Sequence, residues 1–102
     1  MGHAVKWLSY EFAICQYEGQ WNDVGGICIF AGLDQSGQWI PYYVGQCDNF
    51  RTRIPSHEQW DKAQSLGATH VHAMTVLQPA ERDKIERLLI QTFDPILNSP
   101  LP

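Results

Sequence analysis

The stretch from residue 42 to residue 57 gathers four side chains that can perform chemistry on a phosphate group. They are Tyr43, Arg51, Arg53 and His57. A guanidinium group grips phosphate oxygens in a planar, two-point geometry, and phenol and imidazole groups transfer protons. These residue types, gathered around one turn, therefore suggest a phosphoryl-transfer site. The alternative is a plain strand-turn-helix unit whose arginines face solvent, and spacing alone does not exclude it.

A strand and a helix would position these groups. Residues 40–44 form a short apolar run that leads into Gly45. Asp48 or Asn49 can then cap a helix that carries both arginines. The two tyrosines at 42 and 43 are consecutive in the strand, so they should point to opposite faces of the sheet, and Tyr43 is the candidate.

Pro55 predicts that the helix does not continue to His57. Proline lacks a backbone donor and its ring clashes with the preceding turn, so we expect a break at residues 54–56. The segment Ser56-His57-Glu58-Gln59 has the capping-box pattern, which predicts a second helix beginning there. That helix should end at Gly67. Its expected buried stripe is Trp60, Ala63 and Leu66.

Apolar runs elsewhere predict the strands of an antiparallel sheet. Residues 24–31 and 39–44 flank a turn-rich loop and should pair with each other, while 68–77 alternates as a third strand and 11–17 as an extra N-terminal one. The glycines at 25 and 26 predict a bulge or a close approach by another group. A last helix should begin at Pro79 and end at Asp94, because Pro95 follows. Its expected core stripe is Ile85, Leu88, Leu89 and Thr92.

Two residues of the C-terminal part could belong to a metal centre. Glu86 lies at the border of the last helix's apolar stripe, and Asn98 follows the turn after that helix. Hard cations such as Mg²⁺ prefer oxygen ligands, and an amide can support such a ligand. The alternative is an ordinary surface glutamate and a turn asparagine. His70 and His72 share a strand face as a metal pair would, but without a third ligand they suit the strand's polar face better.

Length and composition limit the classes of protein. A chain of 102 residues with 44% hydrophobic residues predicts one domain over 1–102. No apolar run could span a bilayer and the first residues suit no secretory signal, which predicts a cytoplasmic protein without membrane contact. Three unpatterned cysteines favour reduced thiols. The net charge of −4 argues against bulk coating of duplex nucleic acid.

The ordered motifs resemble the GIY-YIG nuclease superfamily. The resemblance rests on Gly26-Ile27-Cys28, Tyr43-Val44-Gly45, the ordered spacing of Arg53, His57, Glu86 and Asn98, and a C-terminal helix phrase that ends in Pro-Ile-Leu-Asn. It implies a motif-bearing core at about 24–98, with an N-terminal extension, 1–23, packed on it. It implies an α/β (α+β) domain with a central three-stranded antiparallel sheet flanked by helices. It also implies a metal-dependent endonuclease that hydrolyses DNA phosphodiester bonds.

The resemblance also implies roles for individual residues. Glu86 would hold Mg²⁺ or Mn²⁺, and Arg53 would contact the scissile phosphate. Tyr43 would activate or orient the attacking water, with His57 as proton acceptor or relay, and Asn98 would brace the site. The first motif departs from the family at Cys28, where a tyrosine is usual. A thiol is smaller than a phenol and cannot reach as far, so Cys28 has no assigned role. Arg51 also has no assigned role.

Three classes of function follow. The first is a DNA endonuclease, with single-stranded or distorted DNA as candidate substrates because Trp21, Trp39 and Trp60 could stack on unpaired bases. The second is a nucleic-acid-binding or regulatory module that keeps the fold with weakened catalysis, motivated by Cys28. The third is an interaction domain or an enzyme on another substrate. The sequence does not define the oligomeric state, the strandedness of the DNA or the pathway.

Overall fold

The computed structural model describes residues 3–99. Within this range the chain forms five strands, three helices and one 3-10 turn. The strands are β1 (Ala4–Trp7), β2 (Tyr10–Cys15), β3 (Gly26–Leu33), β4 (Trp39–Cys47) and β5 (His70–Thr75). The helices are α1 (Phe50–Arg53), α2 (Glu58–Leu66) and α3 (Pro79–Phe93), with the 3-10 turn at Ile54–Ser56. None of the helices in this range is long and apolar enough to cross a membrane.

The five strands form one antiparallel sheet in the order β1-β2-β5-β3-β4. The predicted central set of three antiparallel strands is confirmed as β5, β3 and β4. The predicted extra N-terminal strand is β2, which pairs with β5, and β1 extends the sheet by one strand more than predicted. The sequence missed β1, since that strand has four residues and its two-residue turn uses Leu8, at φ 59°, where glycine or asparagine is usual.

Helices cover both faces of the sheet. On one face, which we call the α1/α2 face, Cys28 and Phe30 of β3 pack with residues of α1 and α2. On the opposite α3 face, Ile27 and Ile29 pack against Leu89 of α3. Because β3 is central and covered on both sides, seven of its eight residues are buried, which explains its continuous apolar run in the sequence.

The glycine at the start of β3 permits a close approach of two backbones. A Cβ atom on Gly26 would lie 2.0 Å from the carbonyl oxygen of Met74 in β5. Of the two alternatives that the sequence left open, a bulge or a close approach, the structure shows the close approach. The central pair of strands thus depends on the absence of a side chain at this position.

The bulge lies elsewhere, at Tyr42 in β4. Phe30 pairs with Tyr43, whereas the next residue, Ala31, pairs with Pro41, so Tyr42 is the extra residue. Both tyrosines consequently contact the hydrophobic cluster on the α1/α2 face. The prediction that Tyr42 points to the opposite face is wrong, because strict alternation fails at a bulge.

The helix ends agree with the sequence except at one cap. Asn49 caps α1 by accepting from the backbone N–H of Thr52 at 3.2 Å, and the predicted break at Pro55 is confirmed as the 3-10 turn. The capping box at Ser56 is wrong: His57 is the N-cap of α2, with its Nδ1 accepting from the N–H of Gln59 at 3.2 Å. Gly67 ends α2 as predicted, at φ 129°.

The predicted apolar stripes are right in part. Trp60 and Ala63 of α2 are buried, but Leu66 is 44% exposed. In α3, Ile85 and Leu89 are buried, whereas Leu88 is 40% exposed and Thr92 is exposed. The face of α3 that packs on the sheet is instead Arg82, Ile85, Leu89 and Phe93. The edge-to-face contact of Phe93 with Trp7, at 5.2 Å between ring centroids, belongs to this face and depends on the strand that the sequence missed.

His72 belongs to the core and not to a polar strand face. It is fully buried, and its Nδ1 accepts a hydrogen bond of 2.9 Å from Nε1 of Trp7. The prediction of a polar histidine face is therefore wrong. The nitrogen that bonds to Trp7 is not available to a cation, and His70 bonds to Thr69 through its own Nδ1.

The burial of His72 predicts that acid destabilises the protein. Burial, with the charge of His70, lowers the pKa of His72 to about 4. In the unfolded chain the imidazole takes up its proton near pH 6.5, so unfolding binds a proton between these values. The free energy of unfolding should be highest above about pH 6.5 and should fall by about 3 kcal/mol toward pH 4 through this residue.

Urea denaturation of the wild type and of His72→Gln across this pH range would measure the effect. Glutamine keeps an acceptor for Trp7 but does not titrate. The free energy of unfolding of His72→Gln should therefore fall less toward pH 4, by the amount that His72 contributes in the wild type. The matched control is His3→Gln, which replaces an exposed histidine that does not contribute to the lowered pKa of His72 and should keep the wild-type slope. Equal slopes in all three proteins would contradict the assignment.

Candidate active site

Three aromatic rings on the α1/α2 face bring Tyr43 and His57 together. Phe30 of β3, Tyr43 of β4 and His57 at the start of α2 contact one another, with ring centroids 5.0 to 5.3 Å apart. The strand supplies the phenol, and the break at Pro55 turns the chain so that the imidazole returns to the sheet. The phenol and imidazole, fourteen positions apart in sequence, therefore lie side by side.

The ring of Tyr43 occupies space that only a glycine at position 45 leaves open. A Cβ on Gly45 would lie 2.6 Å from the hydroxyl oxygen of Tyr43. Burial raises the pKa of the phenol, and the negative charge of Glu86 raises it further. Tyr43 is thus a neutral hydrogen-bonding group at neutral pH.

His57 presents a hydrogen-bond donor to the site. Its Nδ1 accepts the cap hydrogen bond, so in the neutral ring the proton is assigned to Nε2. Burial lowers the pKa of this imidazole, and the charge of Arg53 lowers it further. The predicted role of His57 as a proton acceptor would require the loss of the cap, whereas donation from Nε2 requires no change.

Arg53 lies at the edge of the same cluster, and its guanidinium is paired with Glu58. Nη1 and Nη2 donate to the two carboxylate oxygens at 3.0 and 2.7 Å, and the side chains are 37% and 63% exposed. The positive charge of Arg53 influences the pKa values of Tyr43, His57 and Cys47. Arg53 is therefore the cation of this cluster.

Arg51 does not join the cluster. It pairs with Asp23 at 3.0 Å, and its side chain is 68% exposed. It lines a separate open cavity of about 440 Å³ beside α1, together with Trp21, Asn22 and Pro55. Two residues along a helix separate side chains by more than half a turn, which explains why neighbouring arginines serve different surfaces.

Glu86 lies where the sequence predicted, half-buried at the border of α3. Its Oε1 accepts from Nε2 of Gln46 at 2.8 Å, and the same Nε2 donates to Oδ1 of Asp83 at 2.6 Å. The effect of the Glu86 charge on the pKa of Tyr43 places the carboxylate within electrostatic range of the phenol. Sequence reasoning missed Gln46 and Asp83, although Asp83 lies one helical turn before Glu86.

Asn98 supports the edge strand that carries Tyr43. Its Oδ1 accepts from the backbone N–H of Val44, and its Nδ2 donates to the carbonyl of Val44, both at 2.8 Å. The adjacent Leu97 donates its N–H to the carbonyl of Tyr42 at 3.1 Å. Residues 97 and 98 therefore fix the backbone on both sides of Tyr43.

Cys28 lies beneath the cluster and does not open onto it. The thiol is fully buried. A hydrogen bond to Cys47 and burial raise its pKa well above the usual range. A side chain that is sealed from solvent cannot contact a substrate, and Cys28 is here a packing residue of β3.

The carboxylate oxygens of Glu86 and Asp83, beside Gln46, are suitable ligands for a hard divalent cation. Glu86 and Asp83 share one amide donor, so both carboxylates face the same point. Mg²⁺ is usually held by one or two carboxylates, with water and substrate phosphate completing its coordination. Residues 3–99 contain no group of three or more His, Cys, Asp or Glu that could hold a metal. This donor set therefore fits an open site completed by other ligands.

The sheet order and the flanking helices define a class: the chain has the fold of GIY-YIG endonuclease domains. Its structure is similar to the GIY-YIG N-terminal endonuclease domain of UvrC from Thermotoga maritima bound to its catalytic divalent cation, magnesium. The TM-score is 0.63 at 20% identity, over 78% of this chain and 88% of that chain.

Two point mutants of the same UvrC domain, each bound to the catalytic divalent cation, match equally well. One replaces an asparagine by alanine, with a TM-score of 0.63 at 19% identity. The other replaces a tyrosine by phenylalanine, with a TM-score of 0.62 at 20% identity. No protein-family model and no curated protein matches the sequence. The similarity therefore establishes the fold.

Proposed function

We propose that the protein is a metal-dependent endonuclease that hydrolyses DNA phosphodiester bonds. The observation that carries this proposal is the ring contact of Tyr43 with His57, at 5.2 Å between centroids, with the charges of Arg53 and Glu86 acting on the pKa of the phenol. The fold of an endonuclease domain with a catalytic divalent cation supports the same conclusion. The cluster combines a phosphate grip, two hydrogen-bonding groups and a hard oxygen ligand, which together suit phosphodiester hydrolysis.

Each side chain has a task in this reaction. The Arg53 guanidinium and the Nε2–H of His57 donate to the non-bridging phosphate oxygens, where charge grows in the transition state. The hydroxyl of Tyr43 orients the attacking water, and Asn98 holds the strand that carries this phenol. A divalent cation held by Glu86, with Asp83 beside it, would supply charge neutralisation at the phosphate and the departing oxygen.

The charge of the Glu86 carboxylate affects the pKa of the Tyr43 hydroxyl. The carboxylate charge is one cause of the raised pKa of the phenol. Neutralising that charge would lower the phenol's pKa, so the hydroxyl would release its proton to solvent more readily, and the resulting phenolate could accept a proton from the attacking water. This dependence connects the acidic residue on α3 to the phenol on β4.

A single-stranded or distorted DNA region is the proposed substrate. Of the three candidate tryptophans, Trp60 is buried against Tyr17, with stacked rings 4.5 Å apart, and Trp39 packs against His72 on the α3 face. Only Trp21 lines the open cavity beside α1, next to Arg51. Arg51 and Pro55, which line this cavity, each lie two residues from Arg53 in the chain. An unpaired base that flanks the scissile phosphate could therefore reach it.

A cleavage panel tests the proposal. Single strands, flaps and duplexes labelled at one end would be incubated with the purified protein in Mg²⁺, Mn²⁺ or EDTA. We expect cutting with either cation, none in EDTA, and a preference for substrates with unpaired nucleotides. Absence of cutting under every condition would reject an active nuclease.

The second candidate function is a nucleic-acid-binding module with weakened catalysis. It is favoured by Cys28, which is sealed beneath the cluster where the family usually has a tyrosine. Binding of the same DNA panel without cutting would identify this function.

Trp21 gives a separate prediction about binding. Trp21→Leu keeps the apolar contact with Phe50 but removes the stacking surface, so the Kd for single-stranded DNA should rise about tenfold. Duplex binding should change less. Fluorescence anisotropy in EDTA would measure both affinities. The matched control is Trp39→Leu, a half-buried tryptophan on the other face, and equal losses in the two variants would contradict a role for Trp21.

A further inference from the structure

The guanidinium of Arg53 is already occupied by a carboxylate of the same chain. Glu58, in the first turn of α2, accepts from Nη2 at 2.7 Å and from Nη1 at 3.0 Å. The two donors and two acceptors form the parallel, two-point arrangement in which arginine also binds phosphate. The group that the proposed function assigns to the scissile phosphate is thus engaged before any substrate arrives.

The position of Glu58 fits exchange with a ligand better than a role in holding the fold. Its side chain is 63% exposed, and the N-cap of α2 is supplied by His57. An exposed ion pair of this kind contributes little to stability because water and salt screen it. The same exposure lets the carboxylate leave the guanidinium without disturbing the core.

We propose that Glu58 is an internal competitor of the substrate phosphate and sets the threshold for binding at Arg53. This inference rests on the proposed function. An isolated phosphate ion gains only the contacts with Arg53 and His57, so it exchanges poorly with a tethered carboxylate. A DNA strand also contacts neighbouring surfaces, and this additional binding free energy allows its phosphate to displace Glu58. Glu58 is therefore a specificity-determining residue, favouring polynucleotides over small phosphates.

Removal of the Glu58 charge should tighten DNA binding only where Arg53 is present. The probe is a fluorescein-labelled, mixed-sequence single strand of about 12 nucleotides, a length that covers a typical single-strand site. Its Kd would be measured by anisotropy in EDTA for the wild type, for Arg53→Gln, and for Glu58→Gln and Asp61→Asn, each alone and combined with Arg53→Gln. The matched control is Asp61→Asn, which removes the same charge from the same exposed turn without touching Arg53.

We expect Glu58→Gln to lower the Kd about fivefold relative to Asp61→Asn. In the Arg53→Gln background this advantage should disappear, so that the two carboxylate variants become equal. Inorganic phosphate should compete with the labelled strand at lower concentrations in Glu58→Gln than in the wild type. Thermal unfolding of each variant would show that the fold is kept.

Three outcomes would overturn the proposal. Equal Kd values for Glu58→Gln and Asp61→Asn, with DNA cutting intact in the wild type, would reject the competitor role and leave the nuclease function standing. An unchanged advantage of Glu58→Gln without Arg53 would show general charge repulsion only. Absence of both binding and cutting in every variant would reject the proposed function together with the competitor.

Discussion

Glu86→Gln should reduce the rate of metal-dependent cleavage about 10³-fold or more, the largest effect of any single change in the site. The amide keeps the size of the side chain and an oxygen that can accept from Gln46, but it loses the charge that a divalent cation requires. The loss should appear in kcat at saturating DNA and should not be recovered by raising Mg²⁺ or Mn²⁺. Single-turnover cleavage of the preferred strand from the panel would measure it.

The control for this variant lies on the same helix. Glu81 is an exposed carboxylate in the first turn of α3, so Glu81→Gln changes the net charge equally at a distance from Tyr43. Its cleavage rate should stay within about threefold of the wild type. Cutting that survives Glu86→Gln would mean that another group holds the cation.

Arg53→Lys should lower kcat by about 10² to 10³-fold, since removal of one preorganised donor from a developing oxyanion has an effect of this size. Lysine keeps the charge but cannot present two parallel N–H groups to a phosphate. The loss should therefore be much greater in kcat than in the Kd for DNA, because charge attraction persists. Cleavage rates and anisotropy on the same strand would separate the two quantities.

Arg51→Lys is the matched control. Arg51 lies on the same helical turn and also pairs with a carboxylate, but it faces the cavity beside Trp21. We expect its kcat to change by less than about threefold. Similar losses in the two lysine variants would contradict the assignment of the phosphate contact to position 53.

The sequence predicted the elements better than the faces they present. The central strands, the break at Pro55 and the caps at Asn49 and Gly67 depend on local residue chemistry, so they could be found without coordinates. The orientation of Tyr42 could not, because a bulge interrupts alternation and no glycine marks it. The face of α3 was also missed in part, since its contact with Trp7 depends on β1.

For the candidate site as well, the sequence predicted some features and missed others. The residue types and spacing of Tyr43, Arg53 and Glu86 were visible in the sequence, and in the structure the charges of Arg53 and Glu86 act on the pKa of Tyr43. What the spacing could not give was the hydrogen-bonding state of each group. Two of these states follow from the turn geometry that Pro55 creates. His57 caps a helix through Nδ1, and Arg53 is paired with Glu58.

The two-point bond between Asn98 and Val44 has a consequence for self-association. β4 is an outer strand of the sheet, and the unpaired backbone groups of an outer strand can recruit a strand from another molecule. Asn98 and Leu97 occupy these groups at Val44 and Tyr42, and Pro41 has no donor to offer. The segment that steadies the phenol thus also blocks intermolecular strand pairing, so damage to it would promote aggregation as well as loss of the site.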